Sequence, residues 1–482
     1  MTLPSGRHDQ GHHRHRRGHI RLGRGTPADR AEPHRVHGIP GDTAGASDRL
    51  GGVIATEHAD NLLLELGPDS YITDKPAALR LCERLGLADR LIAPQQGGFE
   101  TLLTVHRGAL SRSPRGFLLM APTRVGSVLQ SPVFSWSGKL RMALEPLIPR
   151  RSHDGDESLA SFVRRRLGRE VLERVAQPLI GGIYASDPEA LSLAATMPRF
   201  PDMERNHGSV ILGSRQAQKR RAQAAGETGA RWSLFVSIDG GMEVLVRRIE
   251  ETLGPGVVRL GETVRELSWN AEARRWRVDT GHGSVEGDAV ICTLPAFAAA
   301  QALAPLDSDL AGELGAIPFS STATINLAYR RSDIPHPLDG YGFVVPHVER
   351  RKIMACTFSS VKYAGRAPED TALLRCFAGG ALQPDLLDQP DSLLEAQVRE
   401  DLEALLGISG TPILCRTTRY PDCMPQYNVG HLDRVERIET RLQQFPTLAL
   451  AGKSYRGVGI ADCIHGGETA AEGIVEGLAQ GE

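Results

Sequence analysis

Long apolar runs, closely paired cysteines and a strong net charge are all missing from this chain of 482 residues. No stretch approaches the roughly 18 uncharged apolar residues of a membrane-spanning helix, and the polar, basic first residues do not form a secretory signal. We therefore expect a cytoplasmic protein, with peripheral membrane contact left open. The seven cysteines include no CxxC pair, which argues against disulfides and metal sites. A formal charge of −2 gives no reason to expect nucleic acid as a partner.

The arrangement of predicted strands and helices indicates a nucleotide-binding fold of two or three domains. Two apolar runs are typical of buried strands, at residues 288–295 and 447–452. The second run precedes a glycine-rich loop and an Ala/Glu-rich helix predicted from Gly467 to Leu478, which is the layout of a nucleotide-binding turn. Helices are also predicted over 75–87 and 156–177, and a small meander over 257–281, with its first strand at 257–260.

Two short segments near the start of the ordinary protein sequence could approach a phosphate or a ring closely. In the segment 47–53, paired glycines allow a backbone to approach a pyrophosphate and Arg49 can supply charge to it. An ordinary surface turn remains an alternative interpretation of this segment. The segment 67–70, Gly-Pro-Asp-Ser, is a tight turn whose backbone amides could face a flavin ring.

The loop at residues 451–465 is the second candidate for ligand contact. Gly457 and Gly459 permit close backbone approach, and the helix that follows directs its positive end towards ligand phosphate or flavin carbonyls. Cys463 and His465 also lie here and suggest a catalytic role. We favour a packing role for both, because no paired base or nucleophile is visible in the sequence.

Seven further motifs follow in order along the chain. They are the segments 157–168, 177–188, 237–242, 356–360, 373–380, 424–431 and 455–460. Together with the segments above, they resemble the porphyrinogen oxidases within the monoamine-oxidase-like FAD superfamily, from Ala46 to the C-terminus. The resemblance implies oxidation of a porphyrinogen to the porphyrin in haem biosynthesis, with FAD as hydride acceptor and molecular oxygen regenerating it. Coproporphyrinogen III and protoporphyrinogen IX both remain possible substrates, with a slight preference for the first.

The resemblance also implies which residues hold the cofactor. These candidate FAD-binding residues are Ala46, Arg49, Gly51, Gly52, Val53, Gly67, Pro68, Asp69, Ser70, Val264, Tyr420, Val458, Gly459 and Ile460. Tyr420 occupies a position where relatives have tryptophan, and Val264 would contribute a backbone contact. No catalytic residue is assigned, because the cofactor carries the chemistry. Four basic residues could bind substrate propionates, although we favour solvated surface charges for each of them. They are Arg107, Arg112, Arg115 and Lys362.

The first 45 residues depart from the superfamily pattern of a strand, a GxGxxG turn and a ribose-binding acid. GxGxxG is absent, and Gly45 stands where the acid is expected. A shifted reading frame across residues 14–26 can encode Val-Ile-Gly-Gly-Gly-Ile-Ser-Gly-Leu-Ala-Ala-Ala, which restores the fingerprint. We hypothesise that a frameshift produced this segment, with a histidine-rich metal tract or a basic arm as alternatives. A chain with this N-terminus should retain FAD poorly.

The expected fold class is α/β, with a discontinuous Rossmann-like FAD-binding domain, a mixed-sheet substrate domain and a helical lobe. Two rival functions remain open, an amine oxidase-type flavoenzyme and a non-catalytic relative that binds porphyrins. The oligomeric state is not predicted. The predicted ranges are 1–75 for the N-terminal part of the FAD-binding domain (1–45 aberrant), 76–225 for the helical lobe, 226–300 for the middle part of the FAD-binding domain, 301–420 for the substrate domain and 421–482 for the C-terminal part.

Overall fold

The structure, a computed structural model, describes most of the chain beyond residue 47. The described ranges are 48–95, 102–113, 117–118, 120–123, 125–152, 155–228, 234–254 and 256–480. All of them lie within one unit of the chain, Gly38–Glu482. Ala46, Arg115 and the segment of the frameshift hypothesis lie outside the described residues, so the hypothesis stays a prediction.

The described part of the chain contains nineteen β-strands. They are β1 (Thr56–Ala59), β2 (Leu62–Glu65), β3 (Tyr71–Ile72), β4 (Leu91–Ile92), β5 (Leu102–His106), β6 (Ala109–Arg112), β7 (Phe117–Leu118), β8 (Ala121–Pro122), β9 (Phe235–Ile238), β10 (Val264–Asn270), β11 (Arg275–Thr280), β12 (Gly283–Gly287), β13 (Val290–Cys292), β14 (Phe319–Arg330), β15 (Gly342–Val344), β16 (Ala355–Phe358), β17 (Thr371–Gly379), β18 (Leu414–Pro425) and β19 (Leu448–Leu450).

The same residues form sixteen α-helices. They are α1 (Ala77–Arg84), α2 (Val125–Gln130), α3 (Trp136–Ala143), α4 (Leu159–Arg166), α5 (Arg169–Val171), α6 (Gln177–Tyr184), α7 (Leu193–Thr196), α8 (Arg199–His207), α9 (Val210–Thr228), α10 (Glu243–Leu253), α11 (Ala296–Leu303), α12 (Ser308–Gly315), α13 (Ser359–Lys362), α14 (Asp391–Leu406), α15 (His431–Leu442) and α16 (Ile460–Gln480). Among them, none is both long and apolar enough to cross a membrane.

A mixed sheet of seven strands dominates the fold, in the order β18-β14-β17-β16-β15-β5-β6. Its pairs are antiparallel except for β15 with β5. Side chains alternate between the two faces of a strand, so Ile325 and Leu327 of β14 join a buried cluster with Leu394 and Val398 of α14. The opposite face of β14 carries polar residues and lies against the segment that follows β2.

Three small sheets draw together distant parts of the chain. In the first, β9 pairs with both β3 and β4. The second is a meander of β10, β11 and β12, and in the third β13 pairs in parallel with β19. Tyr71, Val236, Leu245 and Ala461 share one buried cluster with α1, α10 and the start of α16. The expected discontinuous α/β architecture, with its mixed sheet, is therefore confirmed.

A largely helical region spans α3 to α9 around its own buried cluster, which includes Phe162, Phe200 and Val210. Arg166 and Glu145 form a fully buried ion pair within this region. A charge buried without a partner would be costly, so the pair and its hydrogen bonds fix how the helices meet.

Several local predictions differ from the observed elements. Two stretches inside the range 76–225 join other parts of the fold: α1 packs in the cluster of β9 and α10, and β5 with β6 extends the large sheet. The strand predicted at 257–260 is wrong, since the meander begins at β10. The helical run over 156–177 is interrupted at Gly168, whose φ of +95° breaks the helix. The predicted strands near 290 and 449 are confirmed as β13 and β19. The division into domain ranges itself stays a prediction.

Candidate functional site

The glycine pair after Arg49 forms a tight turn that precedes β1. Gly51 and Gly52 have φ angles of +100° and +54°, and the Ile54 amide donates to the Gly51 carbonyl at 2.9 Å. A Cβ at residue 51 would lie 2.6 Å from the Ile54 carbonyl oxygen. The Arg49 guanidinium donates to the carbonyls of Leu50 at 2.9 Å and Ile54 at 3.2 Å. This turn therefore requires glycine at its first position, because both the conformation and the space exclude a side chain.

The turn at Gly67 lies directly against this first turn. A Cβ at Gly67 would be 1.7 Å from the Val53 carbonyl oxygen, so no side chain can be accommodated there. The two glycine segments predicted from the sequence are therefore in contact, although strands β1 and β2 separate them in the chain.

Three successive carbonyls, those of residues 65–67, are held by side chains from one face of the large sheet. Asn326 Nδ2 donates to the carbonyl of residue 65 at 3.2 Å, and Thr324 Oγ1 donates to that of residue 66 at 2.7 Å. Arg375 Nη1 donates to the carbonyl of residue 67 at 2.7 Å. The segment thus lies on the sheet with a separate side-chain donor for each carbonyl, an arrangement we call the carbonyl row.

Asp69 anchors the turn through buried ion pairs. Lys362 Nζ lies 2.9 Å and Arg375 Nη2 lies 3.1 Å from Asp69 Oδ2, and the Ser70 hydroxyl donates to Oδ1 at 2.7 Å. Burial alone would raise the pKa of this carboxyl, but the charges of Arg375 and Lys362 outweigh it and lower the pKa below its usual range. Lys362 therefore stabilises the turn and is not a free surface charge.

Tyr420 lies on β18 opposite Thr322, close to two arginines. Its hydroxyl is buried and has no hydrogen-bond partner among the described residues. Burial raises the pKa of Tyr420 to about 12, although the nearby charges of Arg49 and Arg375 act to lower it. Because Thr322 and Thr324 point to the same face of β14, the candidate aromatic residue lies on the face of the sheet that holds the carbonyl row.

The buried Glu65 links β2 to the turn before α10 by hydrogen bonds and to Arg366 by an ion pair. Thr56 Oγ1 donates to Glu65 Oε2 at 2.8 Å, and the Met242 amide donates to Oε1 at 2.9 Å. Arg366 Nη2 lies 3.6 Å from the same carboxylate and donates to Ser237 Oγ at 2.7 Å. Burial raises the pKa of Glu65 despite these donors. The network fixes the orientation of β2, and hence of the carbonyl row that follows it.

The C-terminal glycine loop is held by Tyr427 and covered by Asp462. The Tyr427 hydroxyl accepts from the Gly457 amide at 2.8 Å and donates to the Lys453 carbonyl at 2.5 Å. A Cβ at Gly457, where φ is +112°, would lie 2.5 Å from Asp462 Cγ. Lys75 pairs with the same carboxylate at 2.6 Å. The loop conformation therefore depends on glycine at residue 457.

The end of this loop lies between two buried clusters. Val458 packs against the helical region, while Ile460 packs with the cluster of α1, α10 and β9. The Gly459 carbonyl accepts from the Cys463 amide at 3.0 Å, so α16 begins at Ile460 and not at Gly467 as predicted. Burial raises the pKa of Cys463, which keeps its thiol protonated, and His465 is exposed. The partial burial of Cys463 agrees with a packing role for it, whereas the exposed His465 does not pack in a core, so a packing role for His465 is not supported.

The remaining sequence candidates lie elsewhere. Val264 begins β10 and packs with the cluster that contains Tyr455 of the C-terminal loop. Arg112 pairs with Asp339 at 2.6 Å on an exposed surface. Arg107 has a φ of +54° in the β5–β6 turn, where its backbone amide donates to a glutamate side chain. None of these three residues lies at the contact between the two glycine turns.

The described residues of the site fit a polar, extended cofactor. Arg375 Nε and Tyr420 Oη are buried without partners among the described residues. Ile54 and Ile460 pack against one shared cluster, so the N-terminal and C-terminal loops meet the same core. Arg375 lies within the motif at residues 373–380, and no role was predicted for it from the sequence. The available signal was a charged residue inside an otherwise apolar strand, Leu-Leu-Arg-Cys-Phe-Ala.

The sequence matches the family described as flavin containing amine oxidoreductase over residues 46–475. The chain belongs to this family.

Its relatives include enzymes named for two porphyrinogens. The coproporphyrinogen III oxidase of Bacillus subtilis is 35% identical over 428 residues, covering 88% of this chain and 89% of that protein. Human protoporphyrinogen oxidase is 31% identical over 457 residues, covering 89% and 92%. A solved structure from Exiguobacterium, assigned as a protoporphyrinogen oxidase, is 31% identical with a TM-score of 0.78 and covers 90% and 92%.

Proposed function

We propose that this chain oxidises a porphyrinogen to the porphyrin, with FAD as cofactor, in haem biosynthesis. Similarity to named porphyrinogen oxidases extends over nearly the whole chain and over most of each relative. The observation in the structure that carries the proposal is the contact between the Arg49 turn and the Gly67 turn, next to the buried hydroxyl of Tyr420. All three are among the residues that the family resemblance assigned to FAD binding.

The residues of the site would bind and orient the cofactor and exclude water. When bound, FAD supplies the acceptor for hydride equivalents, and oxygen returns it to the oxidised state. Arg49 provides positive charge at its turn, and the glycines at residues 67 and 457 allow the close internal packing, against Val53 and Asp462, that shapes the two loops. Tyr420 and Cys463 stay protonated at neutral pH because burial raises both pKa values, so neither accepts a proton from substrate. The described side chains are therefore better suited to orienting the cofactor and supplying positive charge than to general base catalysis.

We favour coproporphyrinogen III over protoporphyrinogen IX as the substrate and oxygen as the acceptor. The support is that bacterial relatives at 35%, 34% and 32% identity are named coproporphyrinogen III oxidases. Oxidation of both porphyrinogens, with and without oxygen, can be followed by porphyrin fluorescence. Faster, oxygen-dependent turnover of coproporphyrinogen is expected, and faster turnover of protoporphyrinogen would reverse the assignment.

The two rival functions can be separated with the same purified protein. An amine oxidase would oxidise primary amines and leave porphyrinogens unchanged. Likeness to putrescine oxidase at 16% identity and a TM-score of 0.61 supports the shared fold alone. A non-catalytic relative that binds porphyrins would lack the yellow absorbance of bound flavin after purification.

An apolar surface on α3 supports peripheral contact with an anionic membrane. Trp136 is 75% exposed, and Leu140, Leu144 and Leu147 are also exposed along the same stretch. Residues 136–150 carry three basic side chains and a single acid, Glu145, which is fully buried. An exposed apolar stripe with basic surroundings is suited to anionic lipid headgroups.

Vesicle sedimentation tests this contact. The full chain should bind vesicles that contain anionic lipid, bind zwitterionic vesicles less, and lose binding with Trp136→Ser and Leu140→Ser combined. Leu393→Ser is a matched control, because Leu393 is an exposed leucine on α14, a helix outside this surface. Equal vesicle binding by the double variant and by Leu393→Ser would contradict the assignment of this surface. If the protein instead forms concentration-dependent dimers, and Trp136→Ser abolishes them, a second copy of the chain covers the surface.

A further inference from the structure

Arg375 is a buried cation inside the otherwise apolar strand β17. The residue is 4% exposed and lies between Leu374 and Cys376, both fully buried. A guanidinium at such a position requires partners for its charge and its donors. Two of its nitrogens have them, since Nη1 binds the Gly67 carbonyl and Nη2 pairs with Asp69.

The third nitrogen, Nε, has no partner among the described residues. An unsatisfied buried donor costs free energy and is uncommon in native proteins. The neighbouring Tyr420 hydroxyl is also buried and unpaired in the described part of the chain. Two unpaired polar groups therefore lie close to the turn that the sequence assigned to the flavin.

The charge balance of this region favours an electron-rich ligand. Arg375, Lys362 and Arg366 are buried or nearly so, and they face two carboxylates, Asp69 and Glu65. A hydrogen-bond acceptor with partial negative charge would offset this excess of positive charge.

We propose that Arg375 is a positioning residue for FAD, an inference that rests on the proposed function. Its two Nη atoms hold the Gly67 turn in the carbonyl row. Its Nε–H remains available to an oxygen or nitrogen acceptor of the cofactor. The large sheet, which the sequence assigned to substrate, thereby contributes to cofactor binding.

Substitutions at Arg375 can separate these two contributions. Arg375→Gln should increase amide hydrogen exchange of the peptide covering residues 62–72 in apoprotein and weaken FAD binding by about tenfold or more, as expected for the loss of hydrogen bonds from a charged group. Arg375→Lys keeps the charge opposite Asp69 but lacks Nε. It should restore protection of the peptide without restoring FAD affinity or the flavin absorption spectrum.

Arg416→Gln is the matched control. Arg416 lies on the same face of the same sheet but pairs with Glu57 and is half exposed, so this variant should match the wild type in exchange, affinity and spectrum. Unchanged exchange in Arg375→Gln would overturn the positioning role, and wild-type affinity and spectrum in Arg375→Lys would overturn the Nε contact. If the wild-type chain binds no FAD, the proposed function and the cofactor contact both fail, while the exchange data still decide the role of Arg375 in the turn.

Discussion

Arg375 Nη1 lies 2.7 Å from the carbonyl oxygen of Gly67, although 308 positions separate the two residues in the chain. This contact joins the central sheet to a turn that follows a two-stranded hairpin. Because the same guanidinium also pairs with Asp69, one side chain fixes both the backbone and the carboxylate of the turn. The conformation of the candidate flavin turn is therefore set by residues distant in sequence.

Gly67→Ala should destabilise the protein and reduce FAD retention. The new methyl group would meet the Val53 carbonyl oxygen at 1.7 Å, and the Gly67 segment cannot move away without breaking the carbonyl row. A loss of about 3 kcal/mol in the free energy of unfolding is expected, measured by urea denaturation. Gly312→Ala, in α12 where nothing lies within 4 Å of the added carbon, should be neutral or slightly stabilising. Equal stability of Gly67→Ala and wild type would contradict the close contact.

Tyr420→Phe should affect the apoprotein and the flavin complex in opposite directions. Removal of a buried hydroxyl that has no partner among the described residues should stabilise the apoprotein by about 1 kcal/mol. FAD binding should weaken, because the hydroxyl is available to the cofactor. Thermal denaturation of apoprotein and titration with FAD measure the two effects. A less stable apoprotein would show that the hydroxyl has a protein partner.

Asp69→Asn should destabilise the protein at neutral pH by about 3 kcal/mol, since it removes one charge from a buried cluster. The folded-state pKa of Asp69 is lowered, so its contribution is present above the unfolded-state value of 3.8 and is lost as the pH falls towards the folded-state value. The difference from wild type should be equal at pH 7 and pH 5.5 and smaller at pH 3.5.

The control for this substitution is Asp391→Asn, which breaks an exposed pair with Arg419. It should change the free energy of unfolding by less than about 1 kcal/mol at each pH. A difference for Asp69→Asn that grows on acidification would mean that its pKa is raised and not lowered.

Restoration of the reading frame across residues 14–26 should increase FAD retention. The restored segment would contain the glycine fingerprint that binds a dinucleotide at the start of a helix. The ratio of flavin to protein absorbance after purification measures retention in both versions. Full flavin occupancy in the chain with the unaltered sequence would show that the fingerprint is dispensable, and an intact open frame in the coding DNA would remove the frameshift hypothesis.

The sequence predicted those parts of the site that depend on local patterns. Strands β13 and β19 were recognisable as apolar runs, and they pair in parallel as a nucleotide-binding fold requires. The family resemblance assigned the turns at Gly51 and Gly67 to FAD binding, but the contact between the two turns was not predicted. Local apolar patterns were sufficient for the two strands, and glycine patterns for the positions of the turns.

The parts that the sequence did not predict depend on distant contacts. Nothing near Arg375 in the chain indicates that its partners are Gly67 and Asp69. The early start of α16 is another example, because Gly466 and Gly467 suggested a loop but lie within the helix. Packing of Ile460 and Ala461 against the cluster of α1 and α10 outweighs the low helix propensity of glycine.

The carbonyl row has a consequence for synthesis of the protein. A ribosome that has produced the first 300 residues has already released the Gly67 turn, but not Asn326, Thr324 or Arg375, which hold its backbone. The loop that ends at Ile460 emerges later still. The flavin-side half of the site therefore cannot be complete in the nascent chain, and cofactor loading must be a late event that follows translation of almost the entire polypeptide.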